Sequence, residues 1–225
     1  MKYLAEALLA VIQGVKAAVV DPSHVELSRL LDCVYTLSYV NDRLIKEPLA
    51  KYAFIRKDAQ LNEAYKLCTS TIKQYTQSYL QRSLEGLLRA LHECFDVDWV
   101  AYRTLQPMRV EVADFLTRLA LVSGDLTLYV GIDAKQAIGK LVAAALEKMV
   151  DIFQGLRDIT EPAYCQLLIE VSVMEKALPS PMFSTLRTLL EKGFRGVITE
   201  ETKVVVDKYV SEAYEKMKRI IEPLN

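Results

Sequence analysis

The sequence predicts an all-α fold, arranged as an elongated stack of two helical bundles with about eight helices in antiparallel, up-down order. Three observations support this prediction. Glycine and proline are scarce, with 8 and 7 copies in 225 residues, about 7% of the chain against roughly 12% in average proteins. Apolar residues recur at helical spacing over long segments. Two segments also alternate steps of four and three residues, which is the spacing of a helix–helix seam.

The first two helices are bounded by polar and proline signals. An apolar band at helical spacing over residues 2–20 predicts a helix that ends before Asp21. Ser23 and Glu26 have the spacing of a capping box, in which each side chain bonds the other residue's backbone amide, so we expect a second helix to begin here. Pro48 should kink or end that helix, because proline cannot donate the helical hydrogen bond.

The longest predicted helix covers residues 58–93, which contain no proline. At 1.5 Å per residue this helix would span about 54 Å, whereas a compact chain of this length has a radius of gyration of about 17 Å. The expectation of an elongated bundle rests on that comparison. The seam of this helix consists of Leu61, Tyr65, Cys68, Ile72, Tyr75 and Tyr79.

An irregular segment divides the predicted helices into two groups. Residues 94–107 break the helical periodicity, so we predict a first bundle over 1–93, a junction over 94–107 and a second bundle over 108–225. The whole chain could be a fragment of a longer rod. The β-branched stretch 126–132 is the one place where a strand could form, and we interpret it as helical. Further helices are predicted at 108–123, 125–157, 161–178, 182–194 and 200–222. The last of them has its own seam, at Val206, Val210, Ala213, Met217, Ile220 and Leu224.

The charge balance argues against nucleic acid as a partner. The chain has 28 basic and 29 acidic residues and a formal net charge of -1, whereas nucleic-acid-binding domains are usually strongly basic. One local basic stretch contains Lys46, Lys51, Arg56 and Lys57. These side chains could contact acidic phospholipid headgroups or the acidic face of a partner, or they could belong to a solvated helix end.

Cysteine usage and hydropathy predict a cytoplasmic protein. The four cysteines form no Cys-x-x-Cys pair and are expected to be buried thiols in a reducing compartment. No secretory signal is recognisable at the N-terminus. No uncharged run exceeds about ten residues, far fewer than the ~18 needed to span a bilayer. We therefore expect at most a peripheral association with membranes.

Residues suited to catalysis or metal binding are few. The chain has two histidines, His24 and His92, and no cluster that completes a metal site. Asp96 and Asp98 lie in the irregular segment, where aspartates more often accept hydrogen bonds from backbone amides. No glycine-rich nucleotide motif occurs. We expect a non-enzymatic protein without a catalytic, cofactor or metal site.

An aromatic group in the irregular segment is the best candidate for a protein-interaction site. The only tryptophan, Trp99, lies close in sequence to Phe95, Tyr102 and Arg103. Trp, Tyr and Arg are enriched among the residues that dominate binding energy at protein interfaces. The alternative interpretation is that Phe95 and Trp99 fill the junction between the two groups of helices.

A family resemblance extends over roughly residues 30–190. The segment Leu30–Tyr35, the long tyrosine-containing helix after it, the aromatic loop Phe95–Trp99, the helix after Pro107 and the segment Gln166–Val171 resemble the C-terminal region of the exocyst subunit Sec-five. Subunits of related multisubunit tethering complexes share these patterns. The resemblance implies a helical rod that binds sister subunits and helps to capture vesicles at a target membrane before fusion.

The resemblance also implies where the protein acts, and it leaves two alternative functions open. It implies a cytoplasmic protein that is peripheral at vesicle or plasma membrane sites, and it implies no Ral-type GTPase site in this segment, because that module lies upstream in the family. A subunit of a Golgi or endosomal tethering complex is the nearest alternative. A helical-bundle enzyme or ligand-binding protein, with its site between helices, is the alternative from another class.

The predicted length of the bundle can be measured directly. Small-angle X-ray scattering of the purified chain should give a radius of gyration well above about 17 Å, the value for a compact chain of 225 residues. A value at or below that figure would contradict the elongated arrangement.

Overall fold

A computed structural model describes residues 2–52, 58–129, 134–178 and 180–224. The all-α prediction is confirmed, since the described residues form helices packed on helices and contain no strand. A π-helix over Val40–Lys46 and a 3₁₀-helix over Glu222–Leu224 complete the secondary structure. The α-helices are α1 (Lys2–Ala18), α2 (Leu27–Tyr39), α3 (Glu47–Lys51), α4 (Ala59–Phe95), α5 (Val110–Tyr129), α6 (Ala134–Gln154), α7 (Glu161–Ala177), α8 (Met182–Gly193) and α9 (Glu200–Ile221).

The chain divides into two compact units. The first unit contains residues 1–83 and 125–133, and the second contains residues 84–124 and 134–225. This division lies inside α4, upstream of the 94–107 junction that periodicity indicates. The reason is that the last turns of α4 pack with the second unit, where Phe95 contacts Phe153 with ring centroids 5.3 Å apart.

The first unit is built on the seam that the sequence predicts for its longest helix. The predicted helix 58–93 is α4, and the apolar side chains of α1, α2 and α4 form one core. Tyr65 and Ile72 are half-buried, and the other four seam residues are buried. Tyr79, the last of them, donates a hydrogen bond of 2.9 Å to Asp125. Burial, reinforced by this carboxylate, raises the pKa of Tyr79.

The capping box predicted at Ser23 does not form. The hydroxyl and the amide of Ser23 both donate to Asp21 Oδ1, at 2.6 and 2.9 Å. The charged carboxylate of Asp21, two residues away, takes both donors of Ser23, so the Ser23 amide is not available to Glu26. Helix α2 therefore begins at Leu27, after Glu26, which makes no side-chain capping bond. The turn is fixed from α4 instead, because the Arg82 guanidinium donates to the carbonyl oxygens of Pro22, at 3.0 Å, and Val25.

Pro48 does not end the second helix. The chain continues from α2 through the π-helix into α3, with Pro48 in the first turn of α3 and the helix end at Lys51. The wider π-turn accommodates a residue that has no amide to donate and whose ring would clash with the carbonyl four positions earlier. The π-turn begins directly after α2, where the Leu37 carbonyl also accepts the thiol of Cys68 at 3.2 Å.

The second unit packs α6 and α9 with α7 and α8. Helix α7 is the most buried of these helices, and it contacts both α8 and α9. Thr160 and Thr199 cap α7 and α9 by accepting hydrogen bonds from the amides of Ala163 and Thr202. The segment 125–157, predicted as one helix, is divided between α5 and α6. The stretch 126–132 is helical up to Tyr129, and its remainder lies outside the described residues.

The seam predicted on α9 is correct for four positions. Val206, Val210, Ala213 and Met217 are buried, but Ile220 is 38% exposed and Ile221 is buried in its place. An undistorted helix has 3.6 residues per turn, so a strict seven-residue repeat drifts off the buried face. The seam therefore shifts by one residue at its end. None of the helices that the structure describes combines the length and the hydropathy that spanning a bilayer requires.

Mutations can distinguish the cap that the structure shows at the start of α4 from the capping box that does not form at Ser23. Asp58 caps α4, because its Oδ1 accepts the amide of Leu61 at 2.9 Å. Asp58→Ala should therefore lower the free energy of unfolding by about 1 kcal/mol, and Asp58→Asn should not, since asparagine caps equally well. Ser23→Ala should change it by less than about 0.5 kcal/mol. Urea denaturation followed by circular dichroism measures all three. A larger loss for Ser23→Ala than for Asp58→Ala would contradict the structure.

Candidate functional site

The loop between α4 and α5 encloses the polar interior of the second unit. Phe95 and Trp99 are each 5% exposed, so the prediction that they form an exposed interaction site is wrong. Trp99 Nε1 donates to the Phe95 carbonyl oxygen at 3.2 Å, and the Phe95 ring packs edge-on against Phe153. In the alternative interpretation, Phe95 and Trp99 fill the junction between the two groups of helices. The structure shows both side chains buried, but within the second unit.

A buried ion pair lies beneath the Trp99 ring. Arg109 Nε and Nη2 donate to the two carboxylate oxygens of Glu170, each at 2.7 Å, and the side chains are 5% and 0% exposed. The remaining terminal nitrogen, Nη1, donates to the Cys94 carbonyl at 2.7 Å. The guanidinium carbon stands 4.7 Å from the Trp99 ring centroid and 5.9 Å from that of Phe95. This geometry combines a bidentate salt bridge with cation–π contacts.

Gln166 extends the ion pair to the backbone of the loop. Its Nε2 donates to Glu170 Oε1 at 2.9 Å, and its Oε1 accepts the amide of Gln106 at 2.9 Å. Both ends of the buried amide are therefore used. Burial alone would lower the pKa of Arg109, but its hydrogen bonds to Glu170 and the charge of that carboxylate outweigh burial and raise it. With its pKa raised, the Arg109 guanidinium stays charged, and its two-point pairing with Glu170 suits structural locking better than proton transfer.

Thr160, at the start of α7, fixes the other half of the loop. Its hydroxyl donates to the Tyr102 carbonyl at 2.6 Å, and its amide donates to the Trp99 carbonyl at 3.4 Å. Tyr102 is half-buried, with its ring centroid 5.2 Å from that of Trp99. Asp98 accepts the amides of Val100 and Ala101, as expected of an aspartate in a loop. The route of the loop is thus fixed at both ends.

Arg103 is the only one of the four interaction candidates that is exposed. Its guanidinium donates to the carbonyls of Val100 and Tyr102, at 2.9 and 2.8 Å. Val100 beside it is 54% exposed. The surface that this loop offers to a partner is mainly polar and lacks the aromatic rings. Its exposed residues are Asp96, Asp98, Val100, Ala101, Arg103 and Thr104.

The predicted basic stretch is partly neutralised. Lys46 is exposed but pairs with Asp42 at 2.8 Å, and Arg43 lies 3.7 Å from Glu47. Lys51 is exposed, with its Nζ 5.7 Å from the Tyr52 ring centroid. Arg56 and Lys57 lie outside the described residues. The described part of this stretch is a surface of mixed charge.

Three of the four thiols are buried and weakly acidic. Cys94 donates its thiol to the Glu111 carbonyl at 3.1 Å, and burial raises its pKa to about 12. Burial also raises the pKa of Cys68 and of Cys165 to about 11. Cys33 is half-buried. Because the thiolate is the reactive form, the three buried thiols are chemically inert at neutral pH.

The sequence did not indicate Arg109, Gln166 or Glu170 as members of a site. The available signal was a glutamine and a glutamate inside the run Gln166–Val171, where the neighbouring residues are apolar. A charge in such a run needs a partner. That partner, Arg109, is 61 positions away in the chain, so no local pattern connects the two residues.

Comparison with known proteins adds no relative. No protein-family model, no curated protein and no solved structure matches this chain. Within the described ranges, no group of three or more His, Cys, Asp or Glu side chains is placed to hold a metal ion.

The ion pair should dominate the stability of the second unit. Arg109→Met leaves the Glu170 carboxylate buried without its cation and should lower the free energy of unfolding by about 3–5 kcal/mol. The double variant with Glu170→Met should lose less than Arg109→Met alone. Fluorescence of Trp99, the single tryptophan, reports unfolding at this site.

An exposed ion pair provides the matched control. Arg118 and Asp114 are 2.7 Å apart with side chains 56% and 52% exposed, so Arg118→Ala should cost no more than about 0.5 kcal/mol. If Arg109→Met and Arg118→Ala had similar effects, the ion pair would not be the central interaction of the unit.

Proposed function

We propose that this chain is a non-enzymatic region of a vesicle-tethering complex subunit of the exocyst type. It would bind sister subunits and support the capture of vesicles before membrane fusion. The protein would work in the cytoplasm and be peripheral at vesicle or plasma membrane sites. The resemblance of residues 30–190 to the Sec-five C-terminal region motivates the choice of complex.

The observation that carries this proposal is the length of α4. It runs for 37 residues without a break, whereas the mean α-helix of globular proteins has about 11–12 residues. A single helix of this length covers about 55 Å. Helices of such length suit proteins that hold partners at a distance, because one continuous hydrogen-bonded element sets the spacing.

The chemistry of the second unit also supports a role in binding. Its buried polar groups, Arg109, Gln166 and Glu170, bond to one another and to backbone atoms. An active site usually leaves a titratable group poised for a substrate. Here the most elaborate polar cluster of the described residues is used to hold a loop in place.

Affinity purification of the intact chain from the cells that express it tests the proposal. The chain should co-purify, in near-equal amounts, with a defined set of helical tethering subunits, and its depletion should cause secretory vesicles to accumulate beneath the plasma membrane. Arg118→Ala, which changes an exposed residue of α5, serves as the control variant and should recover the same set.

Two other outcomes of the purification would change the assignment or contradict it. Recovery of Golgi or endosomal tethering subunits, with vesicles accumulating near those organelles, would favour the related complex. Recovery of no tethering subunit, together with normal secretion after depletion, would contradict both assignments.

A further inference from the structure

The turn between α1 and α2 contains an exposed serine that is held by a carboxylate. Residues 19–26 join the two helices, and Ser23 is exposed within them. The Ser23 hydroxyl and amide both donate to Asp21 Oδ1, at 2.6 and 2.9 Å. These bonds lower the pKa of Asp21, so its carboxylate is ionised at neutral pH. The Ser23 hydroxyl therefore lies at the surface in direct contact with a negative charge.

An arginine of α4 contacts the same turn. Arg82 Nη1 donates to the carbonyl oxygens of Pro22 and Val25, which lie on either side of Ser23 in the chain. The Pro22 carbonyl carbon is bonded to the Ser23 nitrogen, so Nη1 lies at most about 5 Å from that nitrogen. Arg82 is half-buried, and its Nε and Nη2 form no hydrogen bond or ion pair within the part of the chain that the structure describes. A cation with two unused nitrogens thus lies beside the serine.

The sequence around Ser23 has the charge pattern of a substrate of acidophilic protein kinases. These kinases select a hydroxyl that is followed three positions later by a carboxylate, because basic groups near their active site bind that carboxylate. Glu26 is at this position, and Asp21 adds a second negative charge two positions before the hydroxyl. Glu26 is exposed and makes no side-chain capping bond, so a kinase can contact it.

Local structure distinguishes Ser23 from the other hydroxyls with this spacing. Ser172 and Thr188 are the two other serine or threonine residues with an acidic residue three positions later. Both lie inside helices, where their hydroxyls donate to the carbonyl oxygens of Leu168 and Ser184. A kinase must bring the attacking oxygen into line with the γ-phosphate and its leaving oxygen, and a hydroxyl bonded along a helix would require unwinding first. Ser23 is in a turn and needs no unwinding.

We propose that Ser23 accepts a phosphoryl group from an acidophilic protein kinase, and that the phosphate then pairs with Arg82 instead of Asp21. In the transfer, the Ser23 oxygen attacks the γ-phosphorus of ATP, the bond from that phosphorus to the bridging oxygen breaks, and ADP leaves. The hydroxyl proton passes to the catalytic aspartate of the kinase. The product has no O–H to donate to Asp21.

The charges of the turn decide which residue the phosphate contacts. A phosphoserine carries about −1.5 to −2 charges at pH 7, so the phosphate repels Asp21, an exposed side chain that can turn into solvent. Arg82 offers Nε and Nη2, the same two nitrogens with which Arg109 holds Glu170 and an arrangement that matches two phosphate oxygens. The modification therefore exchanges a bond within the turn for an ion pair between the turn and α4, which holds the turn more firmly against that helix.

Incorporation of phosphate tests the acceptor. The purified full-length chain is incubated with ATP and casein kinase II, a kinase of this specificity, and the modified residues are identified by mass spectrometry. Ser23 should be the main site, and Ser23→Ala should remove most of the incorporated phosphate. Thr188→Ala is the matched control, because Thr188 is exposed and has the same acidic spacing but lies in α8. This variant should leave the incorporation unchanged.

Phosphorus NMR tests the pairing with Arg82. The second pKa of a phosphoserine is about 6, and a neighbouring cation lowers this pKa, whereas a neighbouring carboxylate raises it. The pKa of the phosphate on Ser23 should be lower, by about 0.5 or more, in the folded chain than in the same chain unfolded in urea. His24, whose Nε2 lies 3.6 Å from Asp21, also titrates in this range, so the folded chain is compared with Arg82→Gln, which keeps His24.

Two substitutions on α4 separate the effect of Arg82 from that of any arginine. Arg82→Gln should raise the pKa of the phosphate, because it removes the cation. Arg89→Gln changes an exposed arginine about two turns further along α4 and should leave that pKa unchanged. Circular dichroism establishes that the variants keep the helix content of the parent chain, and the comparison with the urea-unfolded chain needs no variant.

Defined results would overturn each half of the proposal. No phosphate on Ser23, or as much on Thr188 as on Ser23, would contradict the assignment of Ser23 as the acceptor. A phosphate pKa that is equal or higher in the folded chain than in the unfolded chain, or that Arg82→Gln does not change, would contradict the pairing with Arg82. None of these measurements depends on the tethering function, so either proposal can fail while the other stands.

Discussion

The organisation of the second unit depends on the buried ion pair between Arg109 and Glu170. Two charges removed from water are tolerated only when they satisfy each other and their remaining hydrogen-bonding groups. Here the carboxylate holds the guanidinium at two points, Gln166 adds a third bond, and the Cys94 carbonyl takes the last terminal nitrogen. The direction of the loop, the burial of Trp99 and the start of α5 are all tied to this cluster, because Arg109 bonds Glu170 and the Cys94 carbonyl and lies against the Trp99 ring.

In the first unit, irregular backbone is held by hydrogen bonds from a single arginine rather than by a buried ion pair. Its core is apolar, and its turn between α1 and α2 is held by the side chain of Arg82, which reaches from α4 to two carbonyl oxygens. The π-turn before Pro48 keeps the second helix continuous where an α-turn would have lost a hydrogen bond. Within each unit, therefore, an arginine supplies the polar bonds that the irregular backbone cannot supply to itself.

Burial distinguishes the side chains that stabilise the fold from those that are exposed to solvent. The aromatic side chains of the loop, which have the composition of an interface, are used internally. Helix α1, by contrast, exposes the apolar side chains of Tyr3, Leu4 and Val11, which are 85%, 43% and 46% exposed. Residue type alone is thus a poor guide to a binding site, because tryptophan and arginine serve cores and interfaces equally well.

The sequence by itself determined the fold class, the extent of α4 and the buried seams. These features depend on local periodicity, which a helix converts directly into one face, and on proline and glycine, which limit where helices end. Only the tertiary structure decided the pairing of Arg109 with Glu170, the burial of Trp99 and the exposure of Tyr3 and Val11 on α1. Each of these depends on which residues distant in the chain come together. The turn before α2 combines both kinds of cause. Asp21, two residues away, takes the Ser23 amide that the capping box needs, whereas the carbonyls of Pro22 and Val25 are bonded by Arg82 from α4, which no local pattern indicates.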